Sequence, residues 1–173
     1  ISRIRKNLTE DSTKTLIQAF VISKLDNMNS LLFGIPDKYN NKLQLVQNQA
    51  ARVIARIGKY DHVTDTMKSL HWLPVKHRID YKICVLTFKC LHQQAPEYLS
   101  SLMTPYVPSR YLRSAGKGLL AEKRAKSKTY GERAFSVCAP KLWNKLPEDI
   151  RSKNTLDSFK SCLKTHLFNI AYD

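Results

Sequence analysis

Apolar residues return at three- and four-residue steps along most of this chain, which is the spacing that lines one face of an α-helix. The first series is Leu16, Ile17, Phe20, Val21, Leu25, Met28 and Leu32. It predicts one long helix with Thr9 as its N-cap and Glu10 and Asp11 in the first turn, where the helix dipole favours acids. Gly34 and Pro36 stop it. A second helix follows, with Leu43, Val46, Ala50, Val53, Ile54 and Ile57 as its buried face and Gly58 as its end. Residues 59–63 read as a connector, and Thr64 caps a short helix holding Met67 and Leu70. Pro74 fits the first turn of a third long helix. Its apolar set, Val75, Ile79, Ile83, Val85, Leu86, Phe88 and Leu91, is wide, which implies burial on more than one side.

Pro96 breaks that helix and begins a short helical turn to Met103, and Pro105 and Pro108 mark a boundary. The stretch 109–133 reads as an exposed basic loop with a short hairpin around Leu119–Ala121. A helix from Ala134 to Leu146 is built on Phe135, Val137, Leu142 and Trp143, with Pro140 interrupting or restarting it. Pro147 closes it. Thr155 caps a last helix whose stripe is Leu156, Phe159, Leu163 and Leu167. The expected fold is therefore mostly α: a helical bundle with a basic loop or short β-hairpin insertion. Two regions are expected, 1–106 and 107–173, the second basic and ending in two helices.

Charge narrows the function. The 173 residues include 29 Lys and Arg against 14 Asp and Glu, a net of +15. Residues 107–173 hold fourteen of those bases and six of the acids. A field of that sign attracts polyanions, nucleic acid first and an anionic membrane surface second. Apolar content of 43% is that of a globular chain. No apolar run reaches the ~18–20 residues that span a bilayer. The chain begins Ile1-Ser2-Arg3-Ile4-Arg5, without Met or an apolar signal core, and so reads as an intracellular piece of something longer, nuclear and cytoplasmic rather than secreted.

The candidate nucleic-acid contacts are Arg110, Tyr111, Arg113, Lys117, Lys123, Arg124, Lys126, Lys128, Tyr130 and Arg133. Dispersed cations suit phosphates, and exposed rings stack on unpaired bases. Arg52, Arg56 and Lys59 extend the set, since residues four apart share a helix face. Catalytic signals are poor. Asp61, His62 and Asp65 invite a metal or general-base role, but no H-E-x-x-H or Gly-rich phosphate loop accompanies them. The adjacent acids Glu10-Asp11 and Glu148-Asp149 sit at helix starts. An F/Y-x-D-D turn is absent. Cys84, Cys90, Cys138 and Cys162 lack the close spacing of a zinc site and read as buried, reduced thiols.

Six strings, in order along nearly the whole chain, carry a resemblance. They are Ser23-Lys24-Leu25-Asp26 through Asn29, Leu31-Leu32, Gly34 and Pro36; Leu43-Gln44, Val46-Gln47-Asn48 and Ala50-Ala51-Arg52; and Leu70-His71-Trp72-Leu73-Pro74-Val75 with Arg78-Ile79 and Tyr81-Lys82. Ala95-Pro96 with Tyr98-Leu99 follows, then Gly131, Arg133-Ala134-Phe135, Ala139-Pro140, Leu142-Trp143-Asn144 and Leu146-Pro147, and last Ser158-Phe159-Lys160, Leu163-Lys164 and Leu167-Phe168. The series resembles the region that follows the polymerase palm in LINE-type, non-LTR retrotransposon reverse transcriptases of the jockey-like branch. Members often carry Tyr-Cys where this chain has Asn27-Met28.

The resemblance implies a non-catalytic part of an RNA-directed DNA polymerase. Region 1–106 would be thumb-like and grip template–primer through its backbone; the remainder would help recognise the element's RNA. The implied partners are RNA, RNA–DNA or DNA duplex, and the upstream palm domain. No cofactor is implied for this chain, because the catalytic aspartates and their Mg belong to the palm. Two rival classes stand beside this reading: a transposon-derived protein-interaction or scaffold module, and a nuclease using Asp61, His62 and Asp65.

Overall fold

The computed structural model describes residues 1–108, 117–125, 127 and 129–173. Among these the protein is mostly helical, with nine α-helices and no strand beyond a single isolated bridge. Packing divides the chain into two units, Ile1–Ile79 with Leu167–Asp173, and Asp80–His166. The shift in charge at residue 106 does not coincide with that division. Thr104–Tyr106 pairs with Leu119–Ala121 inside the second unit, through Tyr106 N–H to the Leu119 carbonyl (2.9 Å) and Ala121 N–H to the Thr104 carbonyl (2.8 Å).

The first unit opens with a 3-10 turn, Ser2–Asn7, followed by helix α1, Glu10–Ile17. Thr9 caps α1, its hydroxyl accepting the Ser12 N–H at 3.2 Å. The long helix expected to run to Leu32 is shorter and irregular. A π turn, Gln18–Ile22, follows α1 and leads into α2, Ser23–Asp26. The π turn adds a residue per turn, so Thr13, Ile17 and Ile22 share the buried face at steps of four and five. Phe20, placed in the core by an α period, is 65% exposed for the same reason. Met28 then adopts a left-handed conformation and a 3-10 turn, Asn29–Leu32, replaces the helix.

Helix α3 spans Asp37–Ala55 and buries Gln47, Ala50, Ala51 and Ile54. Val46, assigned inward from the sequence, is exposed. Gln47 occupies the inner face because its amide has a partner there: Nε2 donates to the Leu73 carbonyl at 2.9 Å. Gln44 Oε1 accepts the Val75 N–H at 2.9 Å, so two glutamines satisfy the backbone at the turn entering the next long helix. Gly58 does not end α3; Arg56 does, in the left-handed region at φ 56°. Ile17, Ile22, Ala50 and Ile54 form the core of this unit, with Val21, Leu25, Val53, Leu70 and Trp72 against it.

Helix α4, Thr64–Ser69, starts one residue earlier than a Thr64 cap allows, with Val63 as N-cap and no side-chain cap bond. It ends in a Schellman turn. His71 is left-handed, its N–H reaches the Lys68 carbonyl (2.9 Å), and Trp72 N–H reaches the Met67 carbonyl (3.0 Å). Helix α5, Val75–Leu91, buries residues on several sides, among them Ile79, Ile83, Cys84, Val85 and Phe88, as its wide apolar set requires.

In the second unit, α6 (Glu97–Ser100) is N-capped by Pro96. Helix α7, Phe135–Lys145, continues through Pro140 where an interruption or restart was expected. One missing ladder bond is outweighed by burial of the proline ring, which is less than 2% exposed. Helices α8 (Glu148–Arg151) and α9 (Leu156–Tyr172) follow. The aromatic centre is Phe88 stacked on Phe159 at 4.5 Å, with Trp143 tilted against Phe159 at 5.6 Å.

Candidate nucleic-acid interface

The first surface lies at the C-terminal end of α3. The last carbonyls of a helix have no partner within it, and that end carries partial negative charge. Here Arg5 satisfies them from 48 residues away. Its Nε–H donates to the Val53 carbonyl (2.8 Å), Nη2 to Ile54 (2.9 Å), and Nη1 to Leu8 (2.8 Å). The side chain is 8% exposed and holds the Ser2–Asn7 turn against the helix end. Arg56 adds a bond from Nη2 to the Leu8 carbonyl at 3.2 Å.

A groove of about 730 Å³ results. Leu45, Gln49 and Arg52 of α3 and its C-cap Arg56 line it at steps that keep them on the side of the helix away from Gln47, Ala50 and Ile54, and Val53 lies between that side and the core. Ser2, Arg5 and Lys6 line it from the 3-10 turn, and Ile57 and Lys59 from the connector. Five of the ten lining residues are cations and none is an acid.

Their donors are unequally occupied. Arg5 is consumed by the three carbonyls and contributes field rather than contact. Arg52 donates from Nη2 to the Asp61 carbonyl at 3.1 Å, while its buried Nε has no partner. Among the described residues, ion pairs engage Lys14, Arg78, Lys117 and Lys160, and none of Arg5, Lys6, Arg52, Arg56 or Lys59. The field reaches beyond the groove. Exposed Glu10 is held below the usual carboxylate range first by its hydrogen bond to Lys14, with Arg5 and Arg56 adding to the effect.

The structure places Arg52, Arg56 and Lys59 in one groove, Lys59 from beyond the helix end rather than from its face, and adds Arg5 and Lys6, which sequence spacing does not single out. The basic run Arg3-Ile4-Arg5-Lys6 was visible, but nothing local places it at the end of α3.

The second surface is the described part of the basic segment in the second unit, residues 117–125, 127, 129 and 130. Arg110, Tyr111, Arg113, Lys126 and Lys128 lie outside the described residues. Lys117 pairs with Glu148 at 3.4 Å. Lys123 makes a long contact from Nζ to the Leu102 carbonyl (3.4 Å), and Arg124 and Tyr130 are exposed. Arg133 is partly buried and has an intramolecular partner. Trp143 and Asn144 fix the segment's start. Trp143 Nε1 donates to the Gly118 carbonyl (2.8 Å). The Asn144 amide accepts the Leu120 N–H and donates to its carbonyl, both at 2.9 Å, in place of a neighbouring strand.

Of Asp61, His62 and Asp65, Asp61 has a structural role: its carboxylate accepts the Gly58 N–H at 2.7 Å and closes the turn after α3, while Asp65 lies in the first turn of α4. Among the described residues no three His, Cys, Asp or Glu side chains converge as a metal site needs. Burial pushes the Cys84 thiol far up and Cys138 to about 11. No helix among the described residues is long and apolar enough to cross a membrane. No protein-family model, curated protein or solved structure matches the chain.

Proposed function

We propose that this chain is a nucleic-acid-binding, non-catalytic C-terminal segment of a non-LTR retrotransposon RNA-directed DNA polymerase, holding template–primer or element RNA through the phosphate backbone. The observation that carries the binding reading is the groove at the end of α3, lined by Arg5, Lys6, Arg52, Arg56 and Lys59 and by no carboxylate. Polyphosphate is the common polyanion that such a surface suits, and backbone contacts position a strand without reading its sequence. The six-string resemblance supports the polymerase parentage.

The test is fluorescence anisotropy with RNA–DNA duplex, DNA duplex and structured RNA at rising salt. Each phosphate neutralised steepens the slope of log K against log salt by about 0.9 for duplex and about 0.7 for single strands. Four contacts, from Lys6, Arg52, Arg56 and Lys59, predict a slope near −3 to −4. Absence of binding at low salt would overturn the reading.

A further inference from the structure

We infer that the α3 groove takes an unpaired stretch of nucleic acid, with phosphates on its cationic side chains and a base against its apolar ones. This rests on the nucleic-acid reading above and adds the form of the ligand. Leu45, Val53 and Ile57 are its apolar lining, and Arg52, Arg56 and Lys59 are cations beside them. A duplex presents phosphates outward and keeps its base faces stacked inside, so it would set the apolar lining against charge. An unpaired strand has open base faces, and these are what aromatic and apolar side chains cover in single-strand sites.

Three observations favour the unpaired form. The groove's volume, about 730 Å³, lies within the ~300–1,000 Å³ of sites that enclose a small molecule. Leu45, in the groove lining, is 57% exposed although apolar, and so has cover to gain. Tyr60, the sequence neighbour of the lining residue Lys59, is 89% exposed, and the Lys59 ammonium lies 5.4 Å from its ring centroid. An open ring beside a cation is the arrangement on which successive bases stack while the charge meets the phosphate between them.

The experiment compares three labelled probes of equal phosphate number at one low salt concentration: a single-stranded oligouridylate, its fully abasic counterpart, and an RNA duplex. The full chain is used, with Leu45→Ser, Tyr60→Ser and the double variant Arg52→Ala/Lys59→Ala. Leu45 and Tyr60 are exposed, so their replacement leaves the helical CD spectrum unchanged. The single strand is expected to bind about tenfold more tightly than the abasic probe. Leu45→Ser and Tyr60→Ser should each weaken the single strand by about five- to tenfold and leave duplex and abasic probes unmoved. The double variant should weaken all three probes.

Equal binding of base-bearing and abasic probes would overturn the inference while leaving the nucleic-acid reading standing, as would no effect of Leu45→Ser and Tyr60→Ser. Equal displacement of the oligouridylate by polyglutamate of matched charge would also overturn it, since the groove would then read charge alone. Failure of every probe to bind would remove the parent reading itself.

Discussion

Replacing Arg5 by Met keeps most of the side-chain volume and removes the fork that closes α3. Two carbonyls lose their side-chain donor, Ile54 in buried and Val53 in partly buried surroundings, while the partly buried Leu8 carbonyl keeps only the longer bond from Arg56. A charged hydrogen bond contributes ~1.5–3 kcal/mol, and an orphaned buried acceptor costs ~1–3 kcal/mol, whereas a carbonyl that regains water costs much less. One full loss at Ile54, a partial loss at Val53 and one of two bonds at Leu8 sum to about 3 kcal/mol, including the cation lost from the helix terminus. For a chain of this length ~1 kcal/mol moves Tm by ~2–4 °C, so a fall of about 6–12 °C is expected. Urea unfolding followed by far-UV CD gives the free energy directly. Arg5→Lys separates charge from geometry. An ammonium keeps the charge at the helix end but cannot reach three diverging carbonyls, so it should restore less than half of the loss. A cost below about 1 kcal/mol for Arg5→Met, or full recovery in Arg5→Lys, would refute the staple.

Three further outcomes follow from the same reasoning. Gln93 is exposed and left-handed (φ 56°) at the Schellman end of α5, where Gln94 N–H meets the Lys89 carbonyl at 2.8 Å. Gln93→Gly should therefore stabilise the chain by about 1 kcal/mol, read as a rise in urea midpoint. Asn144→Ala leaves both polar groups of buried Leu120 without their amide partner and should cost about 2 kcal/mol, with faster amide exchange at Leu120 as the local signature. Cys84 and Cys138 stay protonated at pH 8 because burial raises both, so a thiolate-selective reagent in native buffer should spare them and label them only after denaturation, as peptide mass spectrometry would show.

The sequence made the helices legible where apolar steps were unbroken and a cap was chemical. Thr9 and the stripe Phe159, Leu163, Leu167 are such cases. Helix ends were harder, because the usual left-handed residue is glycine and this chain has five. Met28, Arg56, His71 and Gln93 take positive φ instead, so neither Gly58 nor Gly34 marks the last turn of the helix before it. The π turn was hidden for a related reason. Leu16, Ile17, Phe20 and Val21 satisfy an α period, and the register slips only because Ile22 finds the core that Phe20 would otherwise occupy. Of the groove, Arg52, Arg56 and Lys59 were visible through local spacing. Arg5 was not, since its partners lie 48 and 49 residues on and no local pattern encodes a guanidinium at a distant helix end.

The strings that carry the resemblance are, in the structure, largely polar joints. Arg78 forms a two-pronged ion pair with Asp26, linking the first string to the third. Gln44 and Gln47 of the second satisfy Leu73 and Val75 of the third. Trp143 and Asn144 of the fifth hold Gly118 and Leu120. Such joints are specific because each buried donor or acceptor admits few replacements, so their side chains are fixed by folding before any ligand is considered. The cations of the groove obey a different constraint. Lys6 and Lys59 sit on the surface in no string, without ion pairs, and folding asks nothing of their charge. Arg52 alone belongs to both sets, tied to the Asp61 carbonyl and facing the groove. Similarity in the strings therefore speaks first to architecture, and function has to be read from the unneutralised residues that the architecture brings together.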